Sequence, residues 1–147
     1  MKFIPAGERI GEQHRVRTIG LAASPDLPDG EYTFVDLYCI DPKCDCRKTI
    51  IHVLHNNKHV STINYGWESS AFYQKWYGGK AEKHIIDAMK GPAIDIGSPN
   101  RVNGTAMIEL FNHLLNDDYI NALKNHYVKF KLAIKNDRPP GEGECIT

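Results

Sequence analysis

Residues 31–67 read EYTFVDLYCIDPKCDCRKTIIHVLHNNKHVSTINYGW, a segment with three runs that favour β-strands. The runs at 31–40, 49–55 and 59–67 are rich in β-branched and aromatic residues, the types that are enriched in strands. Residues 56–58 (NNK) join the second run to the third, and asparagine tolerates the left-handed conformations of a tight hairpin. We therefore predict a three-stranded antiparallel meander.

The spacing of apolar residues changes to a helical period after Ser69. Aromatic residues four positions apart predict a short helix there, and a second helical stretch follows near 80–90. Residues 91–104 contain too many glycines and prolines for a regular element. Two further helices are predicted over 105–115 and about 118–135, and the polar residues between them are suited to capping the last one.

The chain has the length and composition of one globular domain. It has 147 residues, of which 41% are hydrophobic and 24% charged, and these values are ordinary for a folded protein. We predict a single α+β domain over 1–147, in which the meander packs with the C-terminal helices. Residues 1–30 are expected to form an arm with a short edge strand near 16–21, and residues 136–147 a flexible tail.

Charge and hydropathy bear on partners and location. Lysine plus arginine and aspartate plus glutamate both number 18, so no global positive field favours nucleic acid as a partner. The N-terminal segment lacks the apolar stretch of a signal peptide, and no later run approaches a membrane span; we expect a cytoplasmic protein with no membrane contact. Five basic residues near the C-terminus are interpreted as a solvated helix face: Lys124, Lys129, Lys131, Lys135 and Arg138.

Cys39, Cys44 and Cys46 form a C-x4-C-x-C cluster directly after the first predicted strand. Thiolates bind Zn²⁺ in tetrahedral sites with four donors, whereas a disulfide between cysteines one residue apart is strained and disfavoured in a reducing compartment. We predict one zinc ion at this strand-end loop, with packing of reduced thiols as the alternative. Three basic neighbours are expected to offset the charge of the thiolates: Lys43, Arg47 and Lys48.

The fourth zinc donor is left open by the spacing. His126 ranks first because it lies on the apolar stripe of the last predicted helix, where an imidazole without a partner is costly. Taken alone, a core histidine bonded to a backbone carbonyl is the more ordinary interpretation. Cys145 ranks second, and His52 or His113 third. Four other histidines are chemically able to bind zinc: His14, His55, His59 and His84.

Six aromatic residues lie within residues 65–77, which allows either core packing or a surface that binds a partner. Their spacing favours core packing. These residues are Tyr65, Trp67, Phe72, Tyr73, Trp76 and Tyr77.

The runs YCIDPKCDCRKTIIHV, INYGWESSAFYQKWYGG and DDYINALKNHYVKFK together resemble an uncharacterised group of bacterial proteins with a cysteine-rich zinc-binding loop. Some members of that group continue into a C-terminal SEC-C motif. The resemblance covers residues 31–131 and implies zinc at Cys39, Cys44 and Cys46, with His126 as fourth ligand. The tail KNDRPPGEGECIT has a single cysteine and lacks the metal-binding set of SEC-C, so no partner role of that motif is transferred.

Three functions are weighed on these grounds. The favoured one is a structural zinc module that presents a surface to an unidentified protein partner, with no catalytic residue. The first alternative is a zinc-dependent hydrolase with water as fourth ligand and Asp45, Glu68 or a nearby histidine as base; the sequence has no H-E-x-x-H pattern. The second alternative is weak nucleic-acid binding through the basic C-terminal helix.

Overall fold

The computed structural model describes residues 2–11 and 16–136 and has a mixed α+β architecture, as predicted. In these ranges one antiparallel sheet runs in the order β1-β3-β4-β5-β6, with β2 also paired to β3. Its strands are β1 (Phe3–Pro5), β2 (Arg17–Leu21), β3 (Gly30–Cys39), β4 (Lys48–His55), β5 (Lys58–Gly66) and β6 (Ala93–Ile94).

The predicted meander is the centre of this sheet, but the prediction of three strands is wrong, because the described residues form six. The ten-residue β3 is long enough to pair with two short strands on one side: β2 along its first half and β1 along its last three residues. The edge strand expected near 16–21 is β2. Strand β6 adds two residues beside β5, within the segment for which no regular element was predicted.

The turn between β4 and β5 confirms the hairpin prediction. Asn56 and Asn57 have φ values of 47° and 69°, the left-handed region that a two-residue hairpin turn needs at both positions. Asn56 also accepts a hydrogen bond from the Glu31 backbone N–H through Oδ1, at 3.1 Å. The turn therefore sets the strand pairing next to it, up to the register shift between Val53 and Leu54, and is held against the start of β3.

Five helices occur in the described ranges: α1 (Gly7–Ile10), α2 (Ser70–Trp76), α3 (Lys83–Lys90), α4 (Gly104–Leu114) and α5 (Asp117–Asn136). The last four match the predicted stretches. Asn116 Oδ1 accepts a hydrogen bond from the Tyr119 N–H at 2.9 Å, which satisfies one of the orphan donors at the start of α5. None of these helices combines the length and the apolar character that crossing a bilayer requires.

Two apolar clusters hold the sheet and helices together. The larger one lies between β3–β5, α4 and the start of α5 and is centred on Phe34 and Phe111. The smaller one joins α1 and the C-terminal half of α5 to the end of β3 through Tyr38 and Phe130. The cysteine loop leaves the sheet beside this smaller cluster, so α5 is positioned to contact it.

The aromatic residues of segment 65–77 include both buried and exposed side chains, so the segment does not serve core packing alone. Tyr65 and Tyr73 are buried, whereas Trp76 is 37% and Tyr77 52% exposed. Core packing is therefore confirmed for the first two and wrong for the last two, because α2 turns its C-terminal end outward. Except for Asn136, which ends α5, the predicted tail lies outside the described residues.

Candidate metal centre

The three cysteines of the predicted site converge at the end of β3. Cys39 is the last residue of that strand, and Cys44 and Cys46 lie in the loop that leads to β4. Their Sγ atoms all lie within 4.8 Å of one another, and all three thiols are free. Sulfur ligands of a tetrahedral zinc ion lie about 3.8 Å apart, given a Zn–S bond of about 2.3 Å. The observed spacing is therefore close to that of a metal site.

The loop is shaped by its own turns. Asp41 Oδ1 accepts a hydrogen bond from the Lys43 N–H at 2.9 Å, and the Asp41 carbonyl accepts one from the Cys44 N–H at 3.1 Å. At the other end, Arg47 has a φ of 48°, a left-handed conformation that turns the chain into β4. The Tyr73 hydroxyl of α2 donates to the Arg47 carbonyl at 2.5 Å. The backbone that carries Cys44 and Cys46 is thus fixed at both ends.

Helix α5 holds the loop from the other side through Lys131. Its Nζ donates to the carbonyl of Cys39 at 2.8 Å and to that of Asp41 at 3.0 Å. The side chain is buried, with 8% of its surface exposed. The prediction that Lys131 belongs to a solvated basic face is therefore wrong, because this lysine follows Phe130 on the face that α5 turns toward β3.

A second set of bonds runs through Asp45. The Tyr127 hydroxyl of α5 donates to Asp45 Oδ1 at 2.7 Å, and Arg47 Nη2 donates to Oδ2 at 2.9 Å. Arg47 Nη1 also lies 3.6 Å from the Glu68 carboxylate. The hydrogen bond from Arg47, and then that from Tyr127, lowers the pKa of Asp45. Since a carboxylate with a lowered pKa is a weaker base, these contacts give Asp45 a positioning role.

The thiols interact with one another. Cys46 donates a hydrogen bond to Cys39, which lowers the pKa of the Cys39 thiol to about 5, and the Asp41 N–H and the charge of Lys131 act in the same direction. The same bond raises the pKa of Cys46, and burial raises that of Cys44. Hydrogen bonds among the three thiols therefore favour a thiolate in the cluster, the state in which a thiol binds metal.

The basic neighbours predicted to offset the thiolate charge differ in their placement. Arg47 is engaged with Asp45 and Glu68. Burial lowers the pKa of Lys48, and the nearby Cys46 opposes this shift. The contact of Lys131 of α5 with the cysteine loop was not predicted from the sequence. The position of this lysine beside the apolar stripe of the last predicted helix was the signal that could have indicated its burial.

His126, the first-ranked fourth ligand, is placed in other contacts. Its ring is buried, and its Nδ1 lies 2.8 Å from Asp36 Oδ2, which also accepts a hydrogen bond from the Tyr38 hydroxyl at 2.6 Å. His126 is not part of the converging group of metal donors, so its role as fourth ligand stays a prediction.

Of the other ranked candidates for the fourth ligand, two lie in the described part of the chain. His52 packs its ring against that of His59, with 4.3 Å between centroids, and His113 is exposed on α4. Neither belongs to the converging group that the described side chains form. Cys145 and His14 lie outside the described residues. The structure therefore brings together three of the four predicted ligands.

A mostly buried set of three sulfur donors suits soft or borderline metals such as Zn²⁺ and Cu⁺. Cys39 and Cys46 are fully buried and Cys44 is partly accessible, and the three thiols are close enough together to hold a metal ion. Comparison with known proteins adds no relative to this description: no protein-family model, no curated protein and no solved structure matches the chain.

Proposed function

We propose that the protein binds one zinc ion through Cys39, Cys44 and Cys46 and that the ion has a structural role. The observation that carries the proposal is the convergence of three Sγ atoms within 4.8 Å. Among soft metals, zinc is favoured because it has no redox chemistry to be controlled and prefers a tetrahedral set rich in thiolates. Three thiolates are typical of zinc sites that stabilise folds.

The contacts around the loop support a structural role. Lys131 and Tyr127 bind it from α5, and Tyr73 binds it from α2. An ion held by the three sulfurs would lock the connection between β3 and β4 beneath these two helices. Because such a site does not exist in the unfolded chain, the free energy of metal binding adds to the free energy of unfolding.

The same contacts weigh against the alternative of a hydrolase. A zinc hydrolase needs a base that is able to take a proton from the bound water. Asp45 is held by Arg47 and Tyr127, and Glu68 faces Arg47, so both carboxylates are occupied with cations or donors. Lys131 does not contribute to a basic surface for nucleic-acid binding, because its ammonium is hydrogen-bonded to backbone carbonyls.

Our proposal keeps an unidentified protein as the partner of this zinc module. The exposed rings of Trp76 and Tyr77 stand at the end of α2, the helix that binds the cysteine loop through Tyr73. Aromatic side chains are enriched in protein interfaces. Trp76→Ser should therefore weaken partner binding while the zinc content stays at one ion per chain.

The test of zinc binding uses the full chain, purified without chelator. We expect elemental analysis to give one zinc per chain, and we expect Cys46→Ser to lose the metal and melt at a lower temperature. A chelator should lower the melting temperature of the wild type and leave that of Cys46→Ser unchanged, which provides the internal control. Wild-type protein that is metal-free and insensitive to chelator would contradict the proposal.

A further inference from the structure

A cavity of about 450 Å³ lies between strand β2 and the first turns of α5, away from the cysteine loop. Its floor is formed by three buried polar residues, Asp36, Tyr119 and His126. Its rim includes Val16 and Thr18, which are exposed. Sites for small molecules have volumes of a few hundred cubic ångströms and place a few polar groups in a concave surface. The cavity therefore has the size and the open side that a compact ligand needs.

The hydroxyl of Tyr119 at this floor has no hydrogen-bond partner in the part of the chain that the structure describes. The side chain is 4% exposed, and its ring packs edge-on against Phe111, with 6.0 Å between centroids. Burial, and then the charge of Asp36, raises the pKa of Tyr119, so the hydroxyl lies toward the Asp36 end of the cavity. Because a buried polar group without a partner costs free energy, a ligand that bonds to this hydroxyl gains an interaction that the protein alone does not satisfy.

Arg17 brings a positive charge to the same cavity. Its guanidinium carbon lies 4.5 Å from the centroid of the Tyr119 ring, and its side chain is partly buried. Within residues 2–11 and 16–136 no carboxylate forms an ion pair with this guanidinium. A guanidinium presents a planar fork of donors that matches a carboxylate. The cavity therefore places a fork that suits a carboxylate beside a hydroxyl that needs a partner.

Asp36 determines which end of a ligand lies where. Its Oδ2 accepts a hydrogen bond from the Tyr38 hydroxyl at 2.6 Å and lies 2.8 Å from His126 Nδ1. A second carboxylate beside Asp36 would be repelled by it, so the negative group of a ligand belongs at Arg17. An uncharged hydroxyl suits the Asp36 end, because a hydroxyl both donates and accepts hydrogen bonds.

We propose that this cavity binds a small hydroxy acid, with the ligand's carboxylate on the Arg17 guanidinium and its hydroxyl on that of Tyr119. The apolar part of the ligand lies against Val16 and Ala122, which line the cavity as well. The site contains none of the three cysteines, so it is a binding function in addition to the proposed zinc site and does not depend on it.

Isothermal titration calorimetry on the full chain tests the ligand class with matched probes of two sizes. The smaller set is β-hydroxybutyrate, butyrate, which lacks the hydroxyl, and methyl β-hydroxybutyrate, which lacks the negative charge. The larger pair is para-hydroxyphenylacetate and phenylacetate. We expect at least one of the two hydroxy acids to bind at one saturable site per chain. Its counterpart without the hydroxyl, or without the charge, should bind roughly 10-fold more weakly, because one buried hydrogen bond is lost.

Two variants locate the site. Tyr119→Phe removes the hydroxyl and keeps the ring, so it should abolish the preference for the hydroxy acid and should melt no lower than the wild type, since the hydroxyl has no partner to lose. Arg17→Met keeps most of the stem and should weaken binding of the acid roughly 10-fold without changing that of the ester. Tyr77→Phe and Arg101→Met, at exposed positions, are the matched controls and should change neither affinity.

The inference is overturned if neither hydroxy acid binds at a saturable site, or if each binds only as well as its counterpart without the hydroxyl. Binding that survives both Tyr119→Phe and Arg17→Met would place the ligand elsewhere and would overturn it too. So would binding that is lost in Cys46→Ser and kept in Arg17→Met, because the carboxylate would then lie on the metal. A wild type that contains no metal and still binds the hydroxy acid through Arg17 would contradict the zinc site alone and support this inference.

Discussion

The Nζ of Lys131 donates a hydrogen bond to the carbonyl of Cys39 at 2.8 Å, across 92 residues of sequence. The bond joins the last helix to the strand end that begins the cysteine loop. It also places a buried ammonium beside the thiols, where a positive charge favours the thiolate form. The position of α5 and the geometry of the cluster are therefore linked through one side chain.

Replacing Lys131 should damage both stability and metal binding. Lys131→Met keeps most of the buried stem but leaves the buried Cys39 carbonyl and the partly buried Asp41 carbonyl without their donor, which should lower the free energy of unfolding by about 2 kcal/mol. Zinc affinity should fall roughly 10-fold, as for other residues that orient metal ligands. Urea denaturation and chelator competition measure the two effects.

Lys129→Met is the matched control, because Lys129 is exposed on the same helix. It should change stability by less than about 0.5 kcal/mol, as is usual for surface substitutions. If Lys131→Met behaved like Lys129→Met, the bond to Cys39 would have no energetic importance.

Tyr127→Phe isolates the second connection between α5 and the loop. The variant removes the hydroxyl that donates to Asp45 at 2.7 Å and keeps the ring that packs edge-on against Trp67. The same hydroxyl also accepts a longer bond from the Arg47 N–H at 3.4 Å, so we expect the free energy of unfolding to fall by about 1–2 kcal/mol. Tyr77→Phe, at an exposed ring, should be neutral in the same thermal denaturation assay, and equal effects of the two variants would contradict the assignment.

Much of the fold was predictable because its signals are local. The alternation of residues in β3, β4 and β5 and the helical period of α2 to α5 are long enough to be recognised in a single sequence. The Asn56–Asn57 turn has a local chemical cause, positive φ at both residues. The cysteine cluster is equally local, since its three members lie within one strand end and the following loop.

The rest depends on contacts that distant residues make. Strands β1 and β6 have three and two residues, too few to show a period. The burial of Lys131 follows from its bonds to a loop some 90 residues earlier, and the pairing of His126 with Asp36 spans the same separation. A lysine or histidine on a helix looks alike in sequence whether solvent or a buried carboxylate faces it.

The pH dependence of stability should include a contribution from His52. Burial, and then the neighbouring His59, lowers the pKa of His52, while Asp95 opposes the shift. The unfolded chain therefore takes up a proton at this histidine at a higher pH than the folded chain does. The contribution of His52 to stability is present above the ordinary histidine pKa of about 6.5 and is lost as the pH falls through the lower pKa of the folded state.

His52→Gln should accordingly flatten the change in melting temperature below neutral pH relative to the wild type. The control is His84→Gln, because His84 is exposed on α3. All variants should be compared in the same metal state, so that the loss of zinc at low pH does not contribute to the difference between their melting temperatures. A wild-type slope retained in His52→Gln would show that this histidine does not contribute.

The last prediction concerns His126, whose Nδ1 donates to the Asp36 carboxylate at 2.8 Å in the interior. If this pair is a structural link between α5 and β3, His126→Ala should lower the unfolding free energy by about 3–5 kcal/mol, the usual cost of removing one partner from a buried pair. Zinc stoichiometry, and zinc affinity under a competing chelator, should stay unchanged.

A double-mutant cycle with Asp36→Asn gives the sharper test of the same link. Because the two side chains are bonded, the combined variant should lose less stability than the sum of the single losses, with a coupling of about 1–3 kcal/mol. If His126 instead binds zinc, His126→Ala should release the metal or weaken its binding. His126→Cys should then bind zinc like the wild type, because thiolate also suits tetrahedral zinc. Asp36→Asn should keep most of the metal. Retained metal in His126→Ala together with strong coupling to Asp36 would remove His126 from the zinc site and promote Cys145 or His52 as the fourth donor to be tested.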